Sequence, residues 1–265
     1  MMPSGEPLLG AILVTWEGKI IRIGGMSARN AKGEKNELYS TNDVAAFDPA
    51  KQTWTPMPAL PEPRSSHDAV VFDGTLYVGG GWLLTGDEGD GVHATWHKTL
   101  LSLDLHAPEK GWTSIPQPFE RRAMAMVLHK GRIWFLGGMN SNDQQIRSVD
   151  WFEPLTGTWG RGPDLPEGPM AGFGAAACIE DGQIFVSPLS GKVLSLSADE
   201  KQWDSVAQLN PVRFFHRLLP LGEGRLAAIG GSNREGHVTK VEVVTSHSVS
   251  ARTVQGEVPT HESRQ

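Results

Sequence analysis

The chain has little of several things. It contains one cysteine, Cys178, two tyrosines, and 24 Lys and Arg against 30 Asp and Glu. A single thiol closes no internal disulfide and builds no thiolate metal cage. A formal charge of -6 lacks the clustered basic excess that duplex binding requires, so no nucleic-acid partner is expected. The apolar stretch from Leu8 to Trp16 is far short of the ~20 residues that span a bilayer. No basic residue precedes it, so it reads neither as a membrane segment nor as an export signal. The expectation is a soluble chain without a membrane partner, its compartment unassigned and the cytoplasm preferred. Helical periodicity is missing too: apolar residues alternate or run in strand-length pieces.

What is abundant is glycine, proline and tryptophan, at 31, 18 and 9 residues. With 39% hydrophobic and 20% charged residues, the chain has material for a real core. Many turns and a recurrent aromatic position point to internal repeats.

One phrase does recur: a turn glycine, a short apolar strand, then a glycine pair. It occurs at Gly18 to Gly24-Gly25, Gly74 to Gly80-Gly81, Gly131 to Gly137-Gly138 and Gly224 to Gly230-Gly231. A degraded copy from Gly182 to Leu189 keeps the strand and loses the pair. Around each copy four strands are read: one before the turn, one ending at the pair, a third after a variable loop, and a fourth opening with Trp54, Trp112, Trp159 or Trp203. A sheet of four strands cannot bury both faces alone, so the copies must stack radially, with the repeated indoles as mortar between neighbours.

Glycine pair, tryptophan and spacing together resemble the kelch-repeat family of β-propellers, over roughly Leu8 to Val244. The expected fold is all-β, a kelch-type propeller of about five four-stranded blades in one domain over residues 1–255. The units are read near 8–63, 64–121, 122–169, 170–212 and 213–255, with a polar tail at 256–265. Five units suggest an incomplete or open ring in preference to a tight five-blade one, and residues 249–254 read as a fourth strand lacking its tryptophan.

In such a meander the loops between second and third strands share one face with the blade-to-blade linkers. There an arginine stands ten residues after the tryptophan in three units: Arg64, Arg122 and Arg213. His67 and His216 follow two of them by three residues, and Pro169 takes the place in the third unit. Two readings stand. In the preferred one these side chains hold linker carbonyls and tie blades together. In the other the arginines form a crescent ready for a carboxylate, because guanidinium forks pair bidentately.

The long loop from Trp82 to His97 reads as an exposed recognition element, with Trp82 and Trp96 capping the blade or offering contact anchors. Its acids, Asp87, Glu88 and Asp90, lack the calcium-loop pattern. His93 and His97 align as ligands only on a helix, which Gly91 opposes. No metal or cofactor is expected.

The family resemblance implies ligand binding at this face in general. Radical copper chemistry is excluded, since Tyr39 lies in a loop, Tyr77 in a strand, and Cys178 in an apolar run. The reading is therefore a non-catalytic module for a protein or a small acidic ligand. The alternative is a carbohydrate-directed enzyme resembling kelch-fold sialic-acid mutarotases, which needs an acid/base residue beside an arginine.

Overall fold

The structure is a computed structural model and describes residues 7–31, 33–86 and 94–246. Its strands fall into five main sheets. Blade one comprises Ile12–Trp16, Lys19–Ile23, Val44–Asp48 and Thr53–Pro56, and blade two Asp68–Phe72, Thr75–Gly79, Thr99–Asp104 and Thr113–Pro116. Blade three comprises Ala125–His129, Arg132–Leu136, Val149–Glu153 and Thr158–Arg161. Blade four comprises Ala176–Glu180, Gln183–Ser187, Lys192–Leu196 and Trp203–Gln208. Blade five shows Arg217–Gly222, Arg225–Ile229 and Glu242–Thr245. The expected fourth strand at 249–254 and the tail at 256–265 lie outside the described residues. All pairing within the sheets is antiparallel. Among the described residues the one helical element is a single 3-10 turn, Pro108–Lys110, in blade two.

Every blade opens with the same hairpin. Its two turn residues both have positive φ: Glu17-Gly18, Asp73-Gly74, Lys130-Gly131, Asp181-Gly182 and Glu223-Gly224. This is the mirror-image turn whose twist matches that of paired strands.

The blades are joined face to face by four apolar clusters. Ile21, Ile23 and Val44 of blade one meet Leu76, Val78 and Leu101 of blade two. Leu100 of blade two meets Met126, Phe135 and Phe152 of blade three. Trp134 and Val149 of blade three meet Ile184, Val186 and Leu194 of blade four. Phe185 and Val193 of blade four meet Leu218, Leu226 and Ala228 of blade five. First strands of consecutive blades contact one another, which puts the first strand of each sheet next to the axis.

Three of the four repeated indoles act as mortar. Trp112 packs on the cluster between blades one and two and donates to the Pro58 carbonyl at 3.0 Å. Trp203 packs between blades three and four and donates to the Pro163 carbonyl at 2.9 Å. Trp159 stacks among Phe119, Phe135 and Phe152 between blades two and three. Trp54, in blade one, meets instead Phe47 of its own sheet and the Arg22 guanidinium at 6.0 Å.

A backbone chain also runs around the axis where the linkers enter. Ser66 N–H donates to Gly10 O, Ala123 N–H to Ser66 O, Gly174 N–H to Ala123 O and Phe215 N–H to Gly174 O, each within 3.0 Å. All five residues have positive φ, a local kink that aims each amide at the neighbouring blade. The chain of bonds stops at Gly10 and Phe215, and no apolar cluster joins blade five to blade one among the described residues. The array is open.

Candidate functional site

The linkers explain where the arginines go. Arg64 is 1% exposed; its guanidinium donates to the carbonyls of Gly80 and Thr99 at 3.1 and 3.0 Å and to the Thr99 hydroxyl at 3.0 Å. Arg213 is 0% exposed and donates to Gly230 and Lys240 carbonyls at 3.4 and 2.8 Å and to the Glu242 carboxylate at 3.1 Å. Both guanidiniums serve the glycine pair and the third strand of their own blade. Burial pulls the Arg64 pKa down to about 10.

In the third linker the register differs from the expectation. The residue that repeats this pattern is Arg121, which donates to the Ser148 carbonyl at 3.0 Å and pairs with Asp150. Arg122 occupies the next position, so Arg64, Arg122 and Arg213 do not share one register. The blade-two exit from Trp112 to its linker arginine is one residue shorter than the exits after Trp54 and Trp203. In the following linker the equivalent position is Gly172, not Pro169: Gly138 N–H donates to Gly172 O at 2.9 Å, as Gly81 does to Arg121 O at 2.7 Å and Gly25 to Arg64 O at 2.9 Å.

Freed from the linker role, Arg122 stands in an aromatic arc. Its guanidinium lies 3.9 Å from the Trp82 ring centroid, 5.7 Å from Trp96 and 5.0 Å from Phe173. Trp82 and Trp96 pair across a small ribbon, Trp82–Leu84 with Ala94–Trp96, their centroids 5.6 Å apart. Phe173 continues to Phe215 at 5.2 Å, and Phe215 to Phe214 at 4.7 Å. Phe215 is 53% exposed, because its positive φ turns the side chain away from the blade. Burial lowers the Arg122 pKa, with Asp143 opposing; the group stays cationic. Cation–π contact of this kind holds a guanidinium in one plane, and its Nη2 also donates to Met139 Sδ at 3.1 Å.

A second ribbon, Met26–Ala28 with Leu38–Ser40, joins the Trp82 ribbon through the Tyr39–Thr85 bridge and a Leu84 N–H to Ser40 Oγ bond of 3.0 Å. A raised wall therefore stands over blades one and two, with no such ribbon over blade four among the described residues. Beside the arc an open groove of about 500 Å³ runs between blades two and three, lined by Lys98, Gln117, Phe119, Arg121, Asn140 and Ile146.

His67 and His216 are buried beneath this face. Burial, then the nearby arginines, holds His67 down to about 3 and His216 to about 4, so both are neutral spacers at physiological pH. His97 is held to about 4, first by burial and then by Arg64, and its Nε2 lies 3.1 Å from the Pro63 carbonyl. Asp87, Glu88, Asp90, Gly91 and His93 lie outside the described residues. Among the described residues no group of three or more His, Cys, Asp or Glu is placed to hold a metal ion, and no helix is long and apolar enough to cross a membrane. Cys178 is buried in blade four, and burial followed by the Glu180 charge pushes its thiol up to about 12, far from a working nucleophile.

Five radially packed meanders, four with paired glycines and three with a stapling indole, define a kelch-repeat propeller. The chain belongs to the family described as the KLHDC2/KLHL20/DRC7 Kelch-repeats domain, whose model matches residues 9–191. It is similar to kelch-like protein 35 of Homo sapiens, 29% identical over 53% of this chain and 21% of that one. It is also similar to kelch-like protein terF of Aspergillus terreus, 28% identical over 70% of this chain and 39% of that one. Beta-scruin of Limulus polyphemus is 28% identical over 52% of this chain and 14% of its own length. The chain thus spans well under half the length of these curated relatives. Among solved structures, that of YjhT superposes with a TM-score of 0.73 at 17% identity, covering 92% of this chain and 83% of that one.

The arc itself was only partly visible beforehand. Trp82, Trp96 and Arg122 were singled out from the sequence; Phe173, Phe214 and Phe215 were not. The signal that points to them is their position, two large aromatics directly after Arg213 and one beside the degraded fourth linker.

Proposed function

We propose that this propeller is a recognition module which holds a segment of another protein against the face carrying the linkers and the second-to-third-strand loops, centred on Arg122. The observation that carries the reading is the Arg122 guanidinium 3.9 Å from the Trp82 ring and 5.0 Å from Phe173, in an arc that ends on the exposed Phe215. Large aromatics and arginine are the residue types that concentrate binding energy at protein interfaces. A stacked guanidinium suits an acidic side chain or other carboxylate on the partner. Arg64, Arg213, His67 and His216 support this surface from beneath. The wall over blades one and two makes the surface lopsided, so a bound segment lies toward blades three to five.

The test compares proteins captured by the wild-type chain with those captured by an Arg122→Ala/Phe215→Ala variant and by a Lys19→Ala/Lys110→Ala variant on the opposite face. The expected result is loss of the captured set in the first variant alone, with unchanged circular dichroism in both. Equal capture by all three chains would move the site elsewhere.

The carbohydrate-directed alternative draws on one observation, an acid beside an arginine in the channel. Asp68 Oδ1 lies 4.0 Å from Arg217 Nη1, the two residues opening the first strands of blades two and five. Burial raises the Asp68 pKa while Arg217 opposes. Both Asp68 oxygens already accept backbone N–H groups, from Ala69 at 2.9 Å and Met126 at 2.7 Å, which suits a staple between blades better than a proton shuttle.

A further inference from the structure

Blade one leaves a space at its joint that blade three fills at its own. Residues directly opposite one another in an antiparallel sheet share a face. The face of blade one toward blade two therefore carries the row Val14, Ile21, Ala46 and Thr55. The same row of blade three, toward blade four, is Val127, Trp134, Trp151 and Gly160. There the Trp151 ring leaves no room for a Cβ on Gly160. The Arg132 guanidinium lies 5.1 and 5.0 Å from the Trp134 and Trp151 ring centroids, and Glu200 of blade four closes the joint by pairing with Lys130 and Arg132. In blade one the two indoles are replaced by Ile21 and Ala46, and blade two brings Leu105 and Pro108 to the joint. What remains is a cavity of about 340 Å³ between blades one and two.

The body of this cavity is apolar. Ile21, Ala46, Met57, Pro58, Leu105 and Pro108 line it, and the Trp16 ring, packed edge to face with His106 at 5.5 Å, stands at one side. Its mouth is cationic, with Lys19 and Lys51 set against one carboxylate, Asp48. That carboxylate is already committed: Oδ1 accepts the Ala50 and Lys51 N–H groups at 3.0 and 3.1 Å, and Oδ2 lies 3.6 Å from Lys51 Nζ. Lys19 pairs with no acid among the described residues, so one ammonium keeps no counter-charge. Thr53 and Thr55 line the cavity as well, their hydroxyls bonded to no other described group. A concave apolar body of a few hundred Å³ with a few convergent polar groups is the form of a small-ligand site, and an uncompensated ammonium at the rim favours an anion.

We infer that the cavity between blades one and two binds a small aromatic carboxylate. Its flat ring occupies the space that Trp134 and Trp151 fill at the other joint, beside Trp16. Its carboxylate reaches Lys19, with the threonine hydroxyls as further donors. The aromatic character follows from the comparison of the two joints: blade three supplies flat rings from its own sequence, and blade one leaves the same slot to a ligand. The cavity lies on the side of the propeller away from Arg122 and stands whether or not the recognition surface does. Because its ligand is a small molecule, the Lys19→Ala/Lys110→Ala chain should lose this binding while keeping its captured proteins.

The probes are indole-3-acetate and its neutral twin indole-3-acetamide, titrated calorimetrically into the full chain. The carboxylate is expected to bind, and the amide to bind roughly tenfold more weakly, the worth of one charge-assisted hydrogen bond. Lys19→Ala/Lys51→Ala should bring the carboxylate level with the amide. Ala46→Trp/Thr55→Gly, which writes the blade-three row into blade one, should abolish binding of both probes with unchanged circular dichroism. Should that chain not fold, the lysine variant and the amide decide on their own. Equal affinity for acid and amide, carboxylate binding unchanged in the lysine variant, or no binding up to about 10 mM overturns the inference. So does full binding by a folded Ala46→Trp/Thr55→Gly chain, because the ligand then sits elsewhere.

Discussion

Trp112 gives its indole N–H to the carbonyl of Pro58, 3.0 Å away and fifty-four residues earlier in the chain. The bond crosses from the fourth strand of one blade to the proline-rich exit of the blade before it. Trp203 and Pro163 repeat the arrangement two blades further on. Trp112→Phe should cost about 1 kcal/mol, the net worth of one hydrogen bond, and Trp112→Ala about 3 kcal/mol, since ring packing is lost as well. Urea denaturation of the two variants measures the difference, and equal losses would mean that the bond contributes nothing.

The two arginine classes separate in the same experiment. Arg64→Ala removes the donor that satisfies buried carbonyls of Gly80 and Thr99, and Arg213→Ala does so for Gly230 and Lys240. Orphaned buried acceptors cost about 1–3 kcal/mol each, so either change should lower stability by roughly 3 kcal/mol or more. Arg122→Ala, which loses a partly exposed stack, should cost about 1 kcal/mol. A tolerated Arg64→Ala/Arg213→Ala double variant would return these residues to the ligand-binding role.

Stability should fall on mild acidification. His67 and His216 are held to about 3 and about 4 by burial and neighbouring arginines, whereas in the unfolded chain each titrates near 6.5. Their contribution is complete above pH ~6.5 and is lost as the pH drops toward the folded values, because only the unfolded state takes up the protons. Within that window each histidine steepens the dependence by up to about 1.4 kcal/mol per pH unit. Denaturation midpoints from pH 7 to 4.5, compared with His216→Gln, should show the shallower slope in the variant.

Two glycines with the same φ should respond differently to alanine. Gly137 has φ +67 and its added Cβ would stand 2.5 Å from Gly172 Cα, backbone against backbone. Gly230 has φ +68 and open space around it. Gly230→Ala should cost only the left-handed strain of about 1–2 kcal/mol, and Gly137→Ala should exceed it by roughly 2 kcal/mol through forced separation of blades three and four. Thermal unfolding in parallel decides; equal shifts would remove the close approach as the cause.

Much of this architecture was legible from residue order. The turn glycines, the pairs and the four indoles placed the blades, because positive φ and close approach leave few alternatives to glycine, and because three of the four indoles sit where sheets meet. The site was less legible. Counting ten residues from Trp112 landed on Arg122 when the linker role belongs to Arg121, since exit loops vary in length and only hydrogen bonds fix register. Phe173 and Phe215 come together from neighbouring linkers, a proximity set by radial packing that sequence spacing does not encode.

The chain of amides from Gly10 through Ser66, Ala123 and Gly174 to Phe215 has a mechanical consequence. Among the described residues each sheet leans on its sequence neighbours, and the first and last have one such neighbour apiece, so these five sheets resemble a zipper more than a sealed hoop. Loss of structure should begin at the rims and travel inward, with the third sheet the last to let go.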